Sequence, residues 1–271
     1  MQHLVVIKGA GDLASGVAHR LHQAGFLVIM TEIPRPTVIR RAVAFAEAVY
    51  SGATTVEGVT ARLVTGPEEA LAQTMRGEIA VMVDPEARVI AALRPEIIVD
   101  AILTKTNLGT SIDQAPIVIA LGPGFTAGRD AHAVVETKRG HYLGRVIWEG
   151  EALPNTGIPG EVMGYTEARV LRAPADGIFK GCKVIGDPVA AGEIVAMVGE
   201  VPLPARISGV LRGILHDGLE VTPGMKAGDI DPRGERDYCF TISEKARAVA
   251  GGVLEAILHL QGRLGKDKIT G

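Results

Sequence analysis

Residues 9–14 read Gly9-Ala10-Gly11-Asp12-Leu13-Ala14, a glycine-rich turn between an apolar run at 4–8 and an amphipathic stretch at 12–24. The apolar run predicts a strand, and the apolar residue at every fourth position after the turn predicts a helix. A second apolar run, 27–31, ends at Glu32, about twenty residues beyond the turn. Strand, glycine turn, helix and strand in this order are typical of a nucleotide-binding βαβ unit.

The turn supplies the first candidate binding residues. Gly9 permits the tight bend, Gly11 would let a phosphate approach the backbone, and Ala14 would allow close packing of helix on strand. Glu32 would accept hydrogen bonds from ribose hydroxyls. The predicted cofactor-binding residues of this unit are Gly9, Gly11, Asp12, Ala14, Ser15 and Glu32. The alternative is a scaffold of the same shape that no longer binds nucleotide.

Asp12 is unusual at this position. A carboxylate in the first helical turn occupies the positive end of the helix dipole, which would otherwise attract a pyrophosphate. Asp12 is therefore either an N-terminal capping charge or a functional carboxylate that faces the ligand. A bound cation would reconcile the second interpretation with a phosphate.

The middle of the first half predicts more α/β structure. Residues 37–50 predict a second helix, and apolar runs at 79–83, 97–103 and 116–121 predict buried strands of a mostly parallel sheet. The expected fold class is α/β, with a Rossmann-like doubly wound parallel sheet, a small all-β domain and a C-terminal helix.

Polar and glycine residues follow two of these strands. Ligands of open α/β sheets bind beyond the carboxyl ends of the strands. Lys105, Thr106 and Asn107 fall there and would hold phosphate or pterin edges, although a solvated loop fits them equally well. Gly122 and Gly124 form a second backbone-rich turn and complete the predicted cofactor-binding set.

The densest group of side chains suited to catalysis follows that turn. The catalytic candidates are Asp130, His132, Glu136 and His141. The even spacing of His132 and Glu136 would put both on one face of a strand as an acid–base pair. An exposed polar edge explains the same residues equally well.

Residues 173–194 and 205–226 are an internal repeat with an offset of 32 positions and no gap. Glycines recur in register, and Lys180 of the first copy matches Arg212 of the second. The pair predicts a small two-fold β-domain that resembles the barrel-sandwich hybrid of biotinyl and lipoyl carriers. The hairpin between the copies, 199–205, contains no lysine, so we expect a structural or interaction module rather than a carrier.

Four segments follow from these patterns. We expect a Rossmann-like cofactor-binding domain at 1–125, an irregular connecting region at 126–168, and the β-domain without carrier lysine at 169–232. Residues 233–271 are expected to add a short strand at 238–242 and a helix that docks on the body.

Composition narrows the class of partner. The net charge is −3 with both signs spread along the chain, which argues against nucleic acid or a membrane surface as the partner. The two cysteines, Cys182 and Cys239, lack the spacing of metal ligands and indicate a reducing compartment. With no leader or apolar span in the sequence, a cytoplasmic location and no bound metal are expected. A homo-oligomer is left open.

Several motifs together resemble a known family. Residues 5–21 contain the glycine turn, and the match continues at 30–34, 121–125, 136–141 and 237–242. The chain resembles the accessory-protein family of selenium-dependent molybdenum hydroxylases. Its N-terminal unit is also similar to the Rossmann domain of xanthine dehydrogenase maturation factors, which handle molybdopterin cofactor.

The resemblance implies a maturation function. The expected protein binds a nucleotide or a molybdopterin-type cofactor and presents it to a partner molybdenum hydroxylase of the xanthine dehydrogenase type. Two alternatives remain open: an NAD(P)-dependent oxidoreductase, for which the glycines and Glu32 are suitable, and a non-catalytic scaffold. Whether the chain catalyses a reaction stays open.

Overall fold

The computed structural model describes residues 3–270, with side chains as far as residue 263. Eleven strands come first in the chain: β1 (Leu4–Lys8), β2 (Leu27–Glu32), β3 (Ala53–Val56), β4 (Val59–Val64), β5 (Ile79–Val83), β6 (Ile97–Asp100), β7 (Ile117–Leu121), β8 (Thr126–Ala127), β9 (Ala133–Val135), β10 (Val146–Ile147) and β11 (Gly150–Glu151). Nine of them form one sheet in the order β10-β9-β7-β6-β1-β2-β5-β4-β3, and β8 pairs with β11 separately.

The large sheet is mixed. Its central strands, from β4 to β9 across the sheet, run parallel. At one edge β3 is antiparallel to β4, and at the other β10 is antiparallel to β9. Glu57 and Gly58 join β3 to β4 with φ angles of 44° and 81°, the two positive values that a tight hairpin turn requires.

Five α-helices accompany the strands: α1 (Asp12–Gln23), α2 (Ala48–Ser51), α3 (Pro67–Met75), α4 (Val89–Leu93) and α5 (Glu244–Thr270). Alternate residues of β1 point to opposite faces of the sheet. Val5 and Ile7 share a core with α1 and α5, whereas Val6 packs with residues of α3 and α4. Both faces of the central strands are therefore buried, which suits their Val- and Ile-rich sequences.

The second part of the chain builds a β-module from eight further strands: β12 (Val170–Arg172), β13 (Gly177–Gly181), β14 (Pro188–Val189), β15 (Ile194–Val198), β16 (Val201–Pro204), β17 (Gly209–Ile214), β18 (Glu220–Val221) and β19 (Lys226–Asp231). They form two four-stranded sheets, β12-β19-β17-β14 and β16-β15-β13-β18. An offset of 32 residues places β13 on β17, β14 on β18 and β15 on β19. Each sheet therefore combines strands from both copies of the repeat.

The β-module shares its core with the α/β body. Ile39, which precedes the 3-10 helix Arg41–Val43, is buried in the module's apolar cluster. Its carbonyl accepts a hydrogen bond from the Ile214 amide at 2.8 Å. Gly213 leaves room for this segment, because a Cβ there would lie 3.0 Å from the Ile39 carbonyl oxygen.

The predicted fold class is wrong in both of its parts. The large sheet is mixed rather than parallel, because hairpins add an antiparallel strand at each edge. In the described chain the connection from β6 to β7 contains a 3-10 helix, Ile112–Gln114, and α5 packs against β7 and β9 from far along the chain. The all-β part is no independent biotinyl- or lipoyl-like domain, because Ile39 of the body completes its core.

Two local predictions also need correction. Residues 37–50 form two 3-10 helices and the start of α2 rather than one long helix. Residues 238–242 are not a strand, because the 3-10 helix Arg236–Cys239 turns the backbone there. The Asp237 carbonyl accepts hydrogen bonds from the Phe240 amide and the Thr241 hydroxyl, both at 3.0 Å, and these bonds stabilise the turn.

None of the helices in residues 3–270 combines the length and the apolarity that crossing a bilayer would require.

The contact of α5 with the sheet edge gives a test in two adjacent glycines. A Cβ at Gly252 would overlap the Gly144 carbonyl oxygen, whereas a Cβ at Gly251 would meet open space. We expect Gly252→Ala to lower the free energy of unfolding by about 1–3 kcal/mol through overpacking. Gly251→Ala is the matched control and should be neutral or stabilising by about 0.5–1 kcal/mol, because alanine favours the helix. Denaturant titration measures both, and equal effects would contradict the packing described.

Candidate functional site

The glycine turn is held by the protein's own groups. Glu32 accepts hydrogen bonds from the Ala10 amide at 2.9 Å and the Ile33 amide at 2.8 Å. Burial raises the pKa of Glu32, and these two hydrogen bonds partly oppose that rise. Gly9 adopts a φ of 93° next to the backbone of Ala101, and a Cβ on Gly11 would contact Val38 at 3.6 Å.

The remaining turn residues also serve packing. The Ser15 hydroxyl donates to the Ala10 carbonyl at 3.1 Å and accepts from the Phe45 amide at 2.7 Å. Ala14 is buried against the sheet. Together with Glu32, these contacts stabilise the conformation of the turn, and the binding role predicted for its residues stays a prediction.

Asp12 has a cationic partner within the chain. Arg40 Nη1 donates to Asp12 Oδ2 at 3.2 Å. The positive charge beside Asp12, which one interpretation of the sequence attributed to a bound cation, is therefore supplied by this guanidinium. Arg40 Nη2 donates to the carbonyls of Tyr238 and Thr241, each at 3.2 Å. Arg40 thereby connects the start of α1 to the segment that leads into α5.

The loops that follow β6 and β7 contain the other predicted binding residues and pack against each other. Asn107 Oδ1 accepts from the Gly109 and Thr110 amides at 2.9 and 2.7 Å, which folds the loop around Thr110. A Cβ on Gly124 would lie 2.8 Å from the Lys105 backbone. Thr106 is exposed in the same loop. Gly122 approaches Thr137, whose hydroxyl would lie 2.6 Å from an added Cβ.

His132 and Glu136 lie at opposite ends of β9 and do not contact each other. His132 Nδ1 accepts from the Val118 amide at 3.0 Å, so the hydrogen of the neutral ring is on Nε2. Glu136 is buried and accepts from the amides of Lys138 and Leu153 at 2.7 and 2.8 Å. The structure therefore does not assemble them into an acid–base pair.

The other two catalytic candidates are apart from this strand. Asp130 accepts from the Thr126 amide at 2.8 Å and pairs with Arg129. The hydrogen bond from Arg129 holds the pKa of Asp130 below its ordinary value. His141 is exposed and meets the edge of the Tyr142 ring.

A different group of residues converges where the body meets the β-module. We name this cavity of about 460 Å³ the arginine cleft; it is lined by Arg139, Glu161, Val162, Arg212, Arg233, Tyr238, Thr241, Ile242, Ser243, Glu244 and Arg247. The residues come from the segment after β9, the segment between β11 and β12, the strand β17, the turn after β19, and the approach to α5 with its first turn. Four arginines face two carboxylates in the lining.

Arg212 is the least compensated charge in the arginine cleft. The residue is 7% exposed, and its buried Nε has no hydrogen-bond partner among the described residues. The nearest carboxylate oxygens, of Asp229 and Asp231, lie 3.8 and 3.7 Å from Nη1, beyond hydrogen-bond distance. Burial, and then the neighbouring Arg40 guanidinium, lower the pKa of Arg212.

The carboxylates near Arg212 are already engaged elsewhere. Asp229 pairs with Arg169. Asp231 binds Arg233 through both oxygens, at 2.9 and 2.6 Å. The chain thus buries a guanidinium that lines the cavity and has no carboxylate within hydrogen-bond distance of Nη1.

The other arginines of the arginine cleft are paired. Arg139 forms an ion pair with Glu244, and Arg247 contacts both oxygens of Glu57, at 2.7 and 2.8 Å. The first turn of α5 borders the same cavity, with Ser243 Oγ accepting from the Ala246 amide at 3.2 Å. Arg212 and the helix dipole both favour negative charge there.

The sequence patterns missed this cleft because its residues come from distant segments. The structure shows an asymmetry within the repeat. Arg212 is buried in β17, whereas its equivalent in the first copy, Lys180, is exposed in β13. A repeat position that is buried and charged in one copy and exposed in the other indicates that the buried copy faces something specific.

Among the residues that the structure describes, no group of three His, Cys, Asp or Glu side chains is placed to hold a metal ion.

Comparisons with known proteins find a relative that is uncharacterised and solved structures that resemble the chain only weakly. No protein-family model matches the chain. The chain is 58% identical over 257 residues to the "Uncharacterized protein YqeB" of Escherichia coli (strain K12), an alignment that covers 95% of the chain and 48% of that protein. The chain therefore spans about half the length of this curated relative.

The similar solved structures are distant. The product-bound ectoine utilization protein EutE (DoeB) from Ruegeria pomeroyi is 13% identical, with a TM-score of 0.24 over 83% of this chain and 56% of that chain. The succinylglutamate desuccinylase/aspartoacylase from Rhodobacter sphaeroides is 14% identical, with a TM-score of 0.28 over 84% and 85% of the two chains. We transfer no residue role from proteins at this distance.

These findings correct the family and the function predicted from the sequence. The relatives reported are an uncharacterised protein and aspartoacylase-type proteins, and none is a selenium-dependent molybdenum hydroxylase accessory protein. The predicted maturation role, with its selenium and molybdenum-cofactor chemistry, is therefore wrong. The oxidoreductase and scaffold alternatives are not supported either. The expected partners are not tested by these findings and stay predictions.

His132 makes stability depend on pH. Burial lowers its pKa below the ordinary value of 6.5, so the unfolded chain binds the proton more readily than the folded one. Stability should therefore rise as pH rises through the window between the lowered folded pKa and 6.5. His132→Asn keeps an acceptor for the Val118 amide and removes the titration. Denaturant titrations of both proteins across this window should show the pH slope shrinking in the variant, and an unchanged slope would contradict the assignment.

Proposed function

We propose that the protein binds a small anionic molecule, carrying phosphate or carboxylate oxygens, in the arginine cleft. The observation that carries the proposal is Arg212, a buried guanidinium that lines the cavity and whose Nη1 lies 3.7 and 3.8 Å from the nearest carboxylates, beyond hydrogen-bond distance. Burying a cation costs several kcal/mol unless a partner compensates it, in the range of about 3–5 kcal/mol for a broken buried pair. A ligand oxyanion would supply that compensation.

The surroundings of Arg212 support an anion rather than a neutral ligand. Arg233 and Arg247 border the same cavity as the N-terminal turn of α5, which extends over Glu244–Thr270. A helix N-terminus attracts anions through its free amides and its dipole. The volume of about 460 Å³ suits a small metabolite.

The β-module takes part in the proposed site directly. Arg212 belongs to β17 and Arg233 follows β19. Arg139 comes from the body, and Ser243 directly precedes α5. A ligand in the arginine cleft would therefore contact both parts of the molecule. In this proposal the module completes the binding site, which gives a function to a β-domain that lacks a carrier lysine.

We also place the protein in the cytoplasm. Both cysteines are free, with Cys182 exposed and Cys239 buried beside β17. Burial raises the pKa of the Cys239 thiol, which keeps it protonated and unreactive. Free cysteines of this kind suit a reducing compartment.

Isothermal titration calorimetry at low ionic strength tests the ligand class. Pyrophosphate and citrate serve as the phosphate and carboxylate probes, and the tighter of the two identifies the source of the oxygens. Arg212→Met should weaken binding of that probe by about tenfold or more, because it removes hydrogen bonds from a charged donor. Lys180→Met changes the equivalent, exposed position of the first repeat copy and should leave the affinity unchanged. No binding to the unaltered protein, or equal binding by Arg212→Met, would refute the proposal.

The same substitution should not destabilise the unliganded fold. Because Arg212 is buried and poorly compensated, Arg212→Met should leave the free energy of unfolding unchanged or increase it. Arg169→Met is the contrasting variant, since it leaves the buried Asp229 without its main partner and should cost about 3 kcal/mol or more. Denaturant titration measures both, and a large loss of stability in Arg212→Met would assign this arginine a structural role instead.

A further inference from the structure

One residue of the arginine cleft, Tyr238, is aromatic rather than charged. It is the single aromatic residue among the described residues of the lining, and it is 42% exposed. Binding of an anion does not need it, because Arg212 and the N-terminal turn of α5 already favour negative charge. An exposed ring in a concave site offers a flat apolar surface. Tyr238 therefore points to a property of the ligand beyond its charge.

The backbone of Tyr238 is held at both ends of the residue. Tyr238 lies in the 3-10 helix Arg236–Cys239, where its amide donates to the Glu235 carbonyl at 3.2 Å. Its own carbonyl accepts from Arg40 Nη2, also at 3.2 Å. Arg40 is buried between the start of α1 and the segment that leads into α5. A ring on so fixed a backbone loses little freedom when a ligand stacks on it.

Arg233 fixes the ring of Tyr238. Its guanidinium lies over that ring, with Cζ 4.6 Å from the ring centroid. Two hydrogen bonds to Asp231 hold the guanidinium in place and compensate its charge. Because Arg233 covers one face of the ring, the exposed surface of the ring lies on its edge and its opposite face. A planar group can stack there without displacing Arg233.

Two aliphatic residues add apolar surface to the arginine cleft. Val162 and Ile242 line the same cavity. Val162 is held in a hairpin turn by two hydrogen bonds with the Tyr165 backbone, of 2.9 and 3.0 Å. Met163 and Gly164, which lie between them, have the positive φ angles of a tight turn, 49° and 81°. The cavity thus offers an apolar surface for the body of a ligand as well as donors for its anionic group.

The two carboxylates of the lining limit where a ligand can carry charge. Glu244 is paired with Arg139. Glu161 is exposed beside Val162, and within the described residues it forms no ion pair. A second anionic group would be repelled by Glu161. The part of the ligand that contacts this wall of the cleft is therefore uncharged.

We infer that the anion bound in the arginine cleft carries an uncharged, planar aromatic ring, which stacks on Tyr238. The oxyanion meets Arg212 and the first turn of α5, and the ring is buried against Val162 and Ile242. The inference rests on the proposed anion site and adds the chemical class of the rest of the ligand. Arg212 then binds the charge of the ligand, whereas Tyr238 selects its shape.

Calorimetric titration with matched pairs of ligands tests the inference. Phenyl phosphate and cyclohexyl phosphate differ in whether the ring is aromatic and planar, and benzoate and cyclohexanecarboxylate form the same pair for a carboxylate. For the anionic group that the unaltered protein binds, the aromatic form should bind about threefold to tenfold more tightly than the saturated form, because stacking adds to the burial of area. Tyr238→Leu should abolish this preference, and Tyr238→Phe should retain it.

Phe240→Leu is the matched control. Phe240 lies close to Tyr238 in the chain and also has an arginine over its ring, with Arg236 Cζ 5.0 Å from the centroid. Phe240 is not among the described residues of the arginine cleft, and its ring lies against Gly186 of the β-module, where an added Cβ would be 2.9 Å from Phe240 Cζ. The preference for the aromatic ligand should therefore be unchanged in Phe240→Leu.

The results separate this inference from the proposed function. Equal affinity for the aromatic and saturated forms, or a preference that persists in Tyr238→Leu, would overturn the inference alone. Binding of pyrophosphate or citrate without binding of any ring compound would do the same, whereas failure of all these anions to bind would overturn both. If Tyr238→Leu does not fold, nuclear Overhauser contacts between the bound ligand ring and Tyr238 of the unaltered protein decide, and their absence would overturn the inference.

Discussion

Three consecutive residues, Ile39 to Arg41, connect the parts of this molecule, and the arrangement of the candidate site depends on them. Ile39 enters the core of the β-module and pairs its backbone with Ile214. Arg40 binds Asp12 and the carbonyls that precede α5. Arg41 Nε donates to the Ile214 carbonyl at 2.9 Å, so this segment binds both backbone groups of Ile214 at the end of β17. Without this joint, Arg212 of β17 would not face the N-terminal turn of α5.

Two buried cations of the molecule, Lys8 and Arg212, are compensated differently. Lys8 is compensated by Asp100 and Thr110, which makes its charge inexpensive to bury. In the arginine cleft, Asp229 and Asp231 are held by Arg169 and Arg233, and Arg212 is left with a buried Nε that lacks a partner among the described residues. A protein tolerates such a cost when function requires the group. This difference is the physical reason for placing the main binding function in the arginine cleft.

Local patterns predicted local structure well. The strand, turn and helix around Gly9 and Gly11 are present, and the repeat offset relates the strands of the β-module. The patterns could not show which side chains from distant segments contact the turn, the sheet and the β-module. Glu32 matched the spacing of a ribose-binding residue, but it satisfies the Ala10 amide of its own turn. The arginine cleft was not predictable for a similar reason, because Arg139, Arg212 and Arg247 come together only through the docking of α5 and the β-module.

The contact between α1 and α5 has a consequence for the order of folding. Gly16 of α1 lies so close to Ala246 that a Cβ would be 2.7 Å from the alanine Cβ, and these residues are separated by the whole β-module in the chain. During synthesis the β-module emerges before the helix that seals the large sheet. Pairings between distant parts of a chain form slowly, and the apolar surface left open meanwhile is prone to aggregation. Residues of α1 and β7 should therefore be the part of the nascent chain that most needs protection by chaperones.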